Sequence, residues 1–208
     1  VISNSWGSSV RYKVIDDAIN NALRNGRGGK GCVVVFSSGN YSVSMPIGSS
    51  VGYPANSNPD ILVVGATSTC GDRLNGINPN CFSWGRGFTS IAGSCYGNEL
   101  DVVAPGIEIP TTDLSNSFIT DFRHTSAAAP HAAGVAALML SLNGNLTQKD
   151  VNKIIEQTAK KTGGYPYFLS LSKPNGSWHN EMGYGLLNAS DAVSQSVCNT
   201  LSLVNLSF

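Results

Sequence analysis

Residues 123–140 read RHTSAAAPHAAGVAALML. Thr125 and Ser126 stand ahead of three alanines, a proline, a histidine and a run of small apolar residues. From Ala127 to Leu142 the segment is apolar on nearly all sides, the pattern of a helix buried in the middle of a domain. Ser126 then sits at the helix N-terminus, where backbone N–H groups are unpaired and the helix dipole is positive. A serine oxygen attacking a carbonyl there would create an oxyanion beside those donors. The alanines that follow let a substrate come close. The competing explanation is an ordinary N-cap serine.

The segments around this helix alternate in type. YKVIDDAINNALRNGRGGKG places Val14, Ile15, Ala18, Ile19, Ala22 and Leu23 at helical spacing, and the glycines after Asn25 end the helix. CVVVFSSGN (Cys32–Asn40) is a short β-branched run that stops at a glycine, as a buried parallel strand feeding a loop does. ILVVGATS (Ile61–Ser68) and LDVVAPG (Leu100–Gly106) repeat the pattern. The region between these two strands is rich in Gly, Asn and Ser and reads as loops with one or two short strands. Thr147 is placed to cap a further amphipathic helix, with Asp150 as the capping-box acid. GYGLLNASDAV reads as a turn entering a last short helix. No internal repeat or domain linker is visible. Alternating strands and helices predict an α/β fold with a mostly parallel sheet, in which ligands bind where strands end.

Composition narrows the function classes. The chain has 208 residues, enough for one domain with a sizeable core, with 41% apolar and 12% charged side chains. Thirteen Lys and Arg balance thirteen Asp and Glu. That balance offers no basic field for nucleic acid and no polybasic membrane anchor. No apolar run reaches the roughly 18–20 residues of a membrane span. The five cysteines (Cys32, Cys70, Cys81, Cys95 and Cys198) include no C-x-x-C pair, which argues against zinc or a thioredoxin-type site. One bridge among Cys70, Cys81 and Cys95 and separate buried thiols are both open.

Asn40 can point a side-chain amide into the crevice at a strand end, as an oxyanion donor would, or can simply serve a turn. Serine nucleophiles need a base held by an acid. The histidines are His124, His131 and His179. His131 lies more than a turn inside the helix and reads as a core residue, and His179 lies in a loop. His124 is two residues from Ser126 but has no acid in a suggestive pattern, Asp121 being the nearest. The residues alone give a nucleophile and an oxyanion donor without a base.

Taken together, the segments resemble the subtilisin-like serine proteases. TSAAAPHAAG resembles their serine signature, G-T-S-x-A-x-P-H-x-A-G. VVVFSSGN resembles their oxyanion-asparagine strand, and NSWG (Asn4–Gly7) their substrate-lining strand. GYPAN, ILVVGATS, LDVVAPGIEI and MGYGLLNASDAV follow in family order. The resemblance implies a three-layer fold and an endopeptidase acting through an acyl-enzyme on Ser126. Asn40 and the Ser126 N–H would be the oxyanion donors. Ser5, Trp6 and Gly7 would form one wall of the substrate cleft, pairing with an extended peptide, and Ser37, Ser38 and Gly39 the opposite wall of the P1 pocket. Pro54 matches a proline often preceded by a cis bond. No cofactor is implied for catalysis. The resemblance allows calcium, but no oxygen-rich cluster marks a site. The expected location is secreted or at the cell surface.

Two departures stand out. The family's Asp and His motifs precede the NSWG strand, and this chain begins at that strand. The expectation is the C-terminal portion of a single peptidase domain, inactive without its N-terminal half. The glycine that the family places before Thr-Ser is here His124, with Arg123 before it. That change keeps a second reading in view, a degenerate, non-catalytic module that binds peptides or only contributes structure. An unrelated hydrolase would need a G-x-S-x-G elbow, and HTSAA has neither glycine. GRGGKG…SSGN and TTDL also resemble the kexin and furin branch. The flanks GSSVRYK and YSVSMPIG hold no acid, so dibasic specificity is not expected. Asn145, Asn175, Asn188, Asn205 and Asn40 all lie in N-x-[ST] sequons. A glycan on Asn40 would block the proposed oxyanion role.

Overall fold

The structure is a computed structural model that describes residues 1–42, 49–75, 81 and 92–204. Asn205 and the flank from Val43 to Gly48 lie outside them, as does much of the loop region expected between Thr69 and Glu99.

Four parallel strands form the main sheet in the order β1-β2-β4-β6. They are β1 (Ile2–Asn4), β2 (Val34–Ser37), β4 (Leu62–Thr67) and β6 (Val102–Pro105). Side chains alternate across a strand, and β2 shows what that alternation does. Val33 and Val35 face α2 (Thr125–Leu142), α3 (Gln148–Thr158) and α4 (Ala189–Val204). Val34 and Phe36 face Ile19 and Leu23 of α1 (Lys13–Asn25). Both faces are covered, which is why these strands are continuously apolar. The result is the expected three-layer α/β arrangement. Just after Ser37–Gly39, β3 (Asn40–Ser42) and β5 (Ala92–Ser94) form a separate antiparallel pair. Two further antiparallel pairs are β7 (Ile109–Thr112) with β8 (Phe118–Phe122) and β9 (Phe168–Ser170) with β10 (Lys173–Trp178). The Tyr53–Pro54 peptide is cis.

Local signals held at α1, which ends at Asn25, and at α3. The Thr147 hydroxyl accepts from Asp150 N, and Asp150 accepts from Thr147 N in return. Two details differ from expectation. The last helix, α4, is 16 residues long rather than short. The central helix is not buried all round. Its inner face (Ala128, Ala129, Ala132, Val135, Ala136 and Met139) packs on the sheet and on α3 and α4. Its outer face, from Pro130 through Gly134, Ala137 and Leu138 to Ser141 and Leu142, is exposed. Small apolar residues on both faces hide such a stripe from a sequence pattern. At 18 residues and mean hydropathy 1.3, α2 has the length and apolarity of a membrane span, and half of it is buried inside the molecule. That burial against the sheet is how a core helix behaves.

Cys70 and Cys81 form a disulfide with their Cα atoms 5.2 Å apart. Closing a loop of this size contributes about 2–3 kcal/mol, mainly by restricting the unfolded chain. Cys32 and Cys95 are thiols. The Cys198 side chain lies outside the described residues.

A carboxyl group is buried at the base of β6. Asp101 is 8% exposed, and its Oδ2 accepts from Val63 N at 2.7 Å. Burial, reinforced by the charge of Glu156, holds its pKa well above the ordinary carboxylate value. Such a group binds more protons folded than unfolded in the interval between its two pKa values. Stability is therefore expected to fall as pH rises above the ordinary Asp range, and Asp101→Asn should flatten that fall. Urea unfolding of both proteins between pH 4 and 8 measures it; parallel pH profiles would contradict the assignment.

Candidate active site

The end of β2, the β6–β7 connection and the start of α2 meet at one point. His124 N donates to Gly106 O at 2.7 Å, and Gly106 N donates to Thr67 O at the end of β4. A Cβ at Gly106 would lie 2.3 Å from Ala66 Cβ and 3.0 Å from His124 O. Only glycine lets the chain pass between the sheet and the helix start.

Ser126 is the second helical residue, not the cap; His124 holds the cap position. The ordinary N-cap explanation for this serine is thereby excluded. The first four N–H groups of a helix have no intrahelical acceptor. Thr125 N donates to Asn40 Oδ1 at 3.1 Å. Ala127 N and Ala128 N both donate to His124 O. Ser126 N–H alone of the four has no acceptor among the described residues.

Asn40 stands beside it. Its Oδ1 also accepts from Thr125 Oγ1 at 2.9 Å. A backbone N–H can only donate, so the atom facing Thr125 is the amide oxygen. The Nδ2 branch therefore points away from Thr125, and nothing among the described residues accepts from it. Two donors at the start of α2, Asn40 Nδ2 and Ser126 N–H, are thus left without an acceptor among the described residues.

The candidate wall residues arrive from both sides. Ser5 Oγ donates to Ser126 O at 3.2 Å, tying the end of β1 to the helix start. Trp6 is half exposed and meets Phe36 edge-on at 5.6 Å. Gly7 lies against Tyr53, whose carbonyl accepts from Ser8 N. Ser37 and Ser38 are buried, and Ser38 Oγ is bonded to Ser94 Oγ. Only backbone and shape are left for these two to contribute to a cleft. Gly39 has φ +99° and turns the chain into Asn40.

Among the described residues, no histidine or acid is hydrogen-bonded to the Ser126 hydroxyl. His131 Nδ1 bonds Ala127 O at 2.8 Å, so this histidine is satisfied, though only partly buried. His179 Nδ1 accepts from Glu181 N, and its ring lies 4.9 Å from that of Tyr165. His124 has φ +73° and ψ −172°, a region populated essentially by glycine alone. Its Nε2 is buried without a partner. Burial, then the charge of Arg123, lowers its pKa, so it is neutral at pH 7.

Comparison with known proteins identifies the family and the fold. The family model "Subtilase family" matches residues 1–185. Endoprotease aex-5 of Caenorhabditis elegans is 27% identical over 99% of this chain and 38% of its own length. Subtilisin NAT of Bacillus subtilis subsp. natto is 33% identical over 78% of this chain and 35% of its own. Furin-like protease 1, isoform 1-CRR, of Drosophila melanogaster is 32% identical over 93% and 17%. The chain therefore spans less than two fifths of the length of these relatives. A solved protease structure from Pseudoalteromonas arctica shares the fold, with TM-score 0.62 and 23% identity, covering 92% of this chain and 50% of that one.

The strain at His124 has a measurable consequence. Replacing it with glycine removes an unfavourable backbone conformation worth about 1–3 kcal/mol and a buried unpaired nitrogen. The greater unfolded-state freedom of glycine gives back less than ~1 kcal/mol. His124→Gly is expected to raise stability by about 1 kcal/mol or more in urea unfolding. A destabilised variant would mean that the imidazole makes contacts outweighing the strain.

Proposed function

The chain belongs to the subtilase family, and we propose that it is the nucleophile-bearing part of a serine endopeptidase. The Ser126 oxygen attacks the scissile carbonyl carbon and passes its proton to a base. The carbonyl oxygen becomes an oxyanion between Asn40 Nδ2 and Ser126 N–H. Collapse expels the leaving amine, which takes up the proton, and leaves an acyl-enzyme on Ser126 for water to hydrolyse. The observation that carries this reading is the double bond from Thr125 to Asn40 Oδ1. It fixes the amide oxygen on Thr125 and leaves the Nδ2 donor without an acceptor among the described residues, on a residue bonded to the neighbour of Ser126.

The base and its acid are proposed to come from the part of such a protein that this chain does not span. Two surfaces support that. Strand β1 is at the sheet edge, with Val1 42% and Ile2 41% exposed. The outer stripe of α2 is apolar and open. An edge strand and an apolar helix face call for partners. Extended peptides would add along Ser5–Gly7, with Ser37–Gly39 opposite. The Cys70–Cys81 bridge favours an oxidising compartment, and so a secreted or cell-surface protein. A second reading, a peptide-binding module without catalysis, draws on one observation, the strained His124 beside the nucleophile.

Four kinds of measurement test this reading: activity of the isolated chain, the kinetics of two variants, active-site labelling and self-association. The isolated 208-residue chain should hydrolyse no peptide substrate, since loss of the histidine alone costs subtilisin about a million-fold. In the full-length protein, Ser126→Ala should abolish turnover, and Asn40→Ala should lower kcat about 100- to 1000-fold with little change in KM. A fluorophosphonate probe should label Ser126 in that protein. Absent labelling and turnover would favour the binding module. The isolated chain should also self-associate on sizing through β1 and α2; a clean monomer would argue against the missing partner.

A further inference from the structure

Arg73 is buried at 7% exposure. It follows the turn after β4, bridging back to Thr67. Its Nη1 donates to two acceptors, Tyr41 Oη at 2.8 Å and Ser94 O at 2.9 Å. Its Nε donates to Glu181 Oε2 at 2.7 Å. Its guanidinium carbon sits 4.4 Å from the centroid of the Tyr96 ring. Burial opposes the charge, and the bonds to Tyr41 and Glu181 more than offset it.

The two acceptors of Nη1 lie on different strands. Tyr41 is in β3, immediately after Asn40, and Ser94 is in β5. In that pair Asn40 is opposite Ser94, and Tyr41 is opposite Gly93. A Cβ at Gly93 would meet the Tyr41 ring at 2.5 Å, so the ring lies directly over a residue that must lack a side chain. One guanidinium nitrogen thus spans β3 and β5 at the level of Asn40. The main sheet does not hold β3, whose only strand partner among the described residues is β5. Thr125 fixes the Asn40 side chain; something else must fix its strand.

We propose that Arg73 is a positioning residue for the oxyanion donor, holding Asn40 in place through Tyr41 Oη and Ser94 O, with Glu181 orienting the guanidinium. The inference rests on the oxyanion role proposed for Asn40. A guanidinium suits the task because its planar donors reach three acceptors at once, which a lysine ammonium on a flexible stem does not reproduce. Displacing the strand by a few tenths of an ångström would misaim Nδ2 without unfolding the core.

Tyr41→Phe keeps the ring over Gly93 and removes the acceptor; Arg73→Lys keeps a cation near Glu181. In the full-length protein each is expected to lower Ser126-dependent kcat about tenfold, less than loss of the donor itself, with KM within about twofold. In an Asn40→Ala background neither should lower kcat further, because the group they position is gone. Equal losses in both backgrounds, or none in either, would overturn the proposal while leaving the oxyanion reading intact. If Asn40→Ala itself leaves kcat unchanged, the oxyanion reading fails instead. Amide exchange gives a readout without turnover. The Thr125 N–H, bonded to Asn40 Oδ1, should exchange at least about tenfold faster in Tyr41→Phe. The Val103 N–H, bonded to Gly185 O, should not change. Parallel changes at both amides would mean general loosening and would overturn the proposal.

Discussion

One amide oxygen carries the architecture of the candidate site. Asn40 Oδ1 accepts from both the backbone and the hydroxyl of Thr125. The pair of bonds joins the start of β3 to the first turn of α2. It satisfies one of the orphan donors of the helix and fixes which way the asparagine amide faces. His124 O takes up two more orphan donors. What remains is a single open N–H, that of Ser126, beside a single open amide nitrogen. The Ser126 N–H would not be available to a substrate if the helix were capped by a serine side chain in the usual way. The cap position held by His124 therefore matters as much as the serine that follows.

That arrangement has a cost at His124. To aim its carbonyl at Ala127 and Ala128 while its N–H reaches Gly106, the residue adopts a conformation suited to glycine. A histidine here carries backbone strain and an unpaired buried nitrogen. The site geometry survives because the surroundings over-determine it, with Gly106 pressed against Ala66 beneath and Asn40 bonded above. Strain of this kind is compatible with a working nucleophile and with a site that has drifted from catalysis. It makes His124 the residue at which the two readings of the protein diverge.

Much of this was legible in the sequence, for physical reasons. Buried parallel strands are short β-branched runs, so VVVF, ILVV and DVVAP announced themselves. The box at Thr147 and Asp150 needs only local spacing. Ser126 and Asn40 could be singled out as candidates because each stands at the end of an element with recognisable neighbours, and the structure brings them to one helix start. The missed features depend on contacts distant in the chain. Arg73 looked like any loop arginine; only folding brings it to Tyr41, Ser94 and Glu181. The hairpin β7–β8 leading into the nucleophile left little mark, because its residues are largely exposed and show no buried alternation. Nor did composition reveal the exposed face of α2, since alanine and glycine suit a buried and an open surface equally.

The site also lies beside an open sheet edge. Strand β1 is at once the open edge of the main sheet and, through Ser5, a direct partner of Ser126 O. Helix α2 is both the carrier of Ser126 and the owner of the exposed apolar stripe. A polypeptide that paired with β1 and covered α2 would therefore be next to the nucleophile without any further rearrangement. On the proposed function, that polypeptide carries the base for the Ser126 hydroxyl. Assembly and catalysis would then share one interface, and the stability of that interface would set how firmly the base is held. On this view the Ser5 to Ser126 bond is the link between them, because it fixes the distance between the edge strand and the nucleophile before any partner arrives.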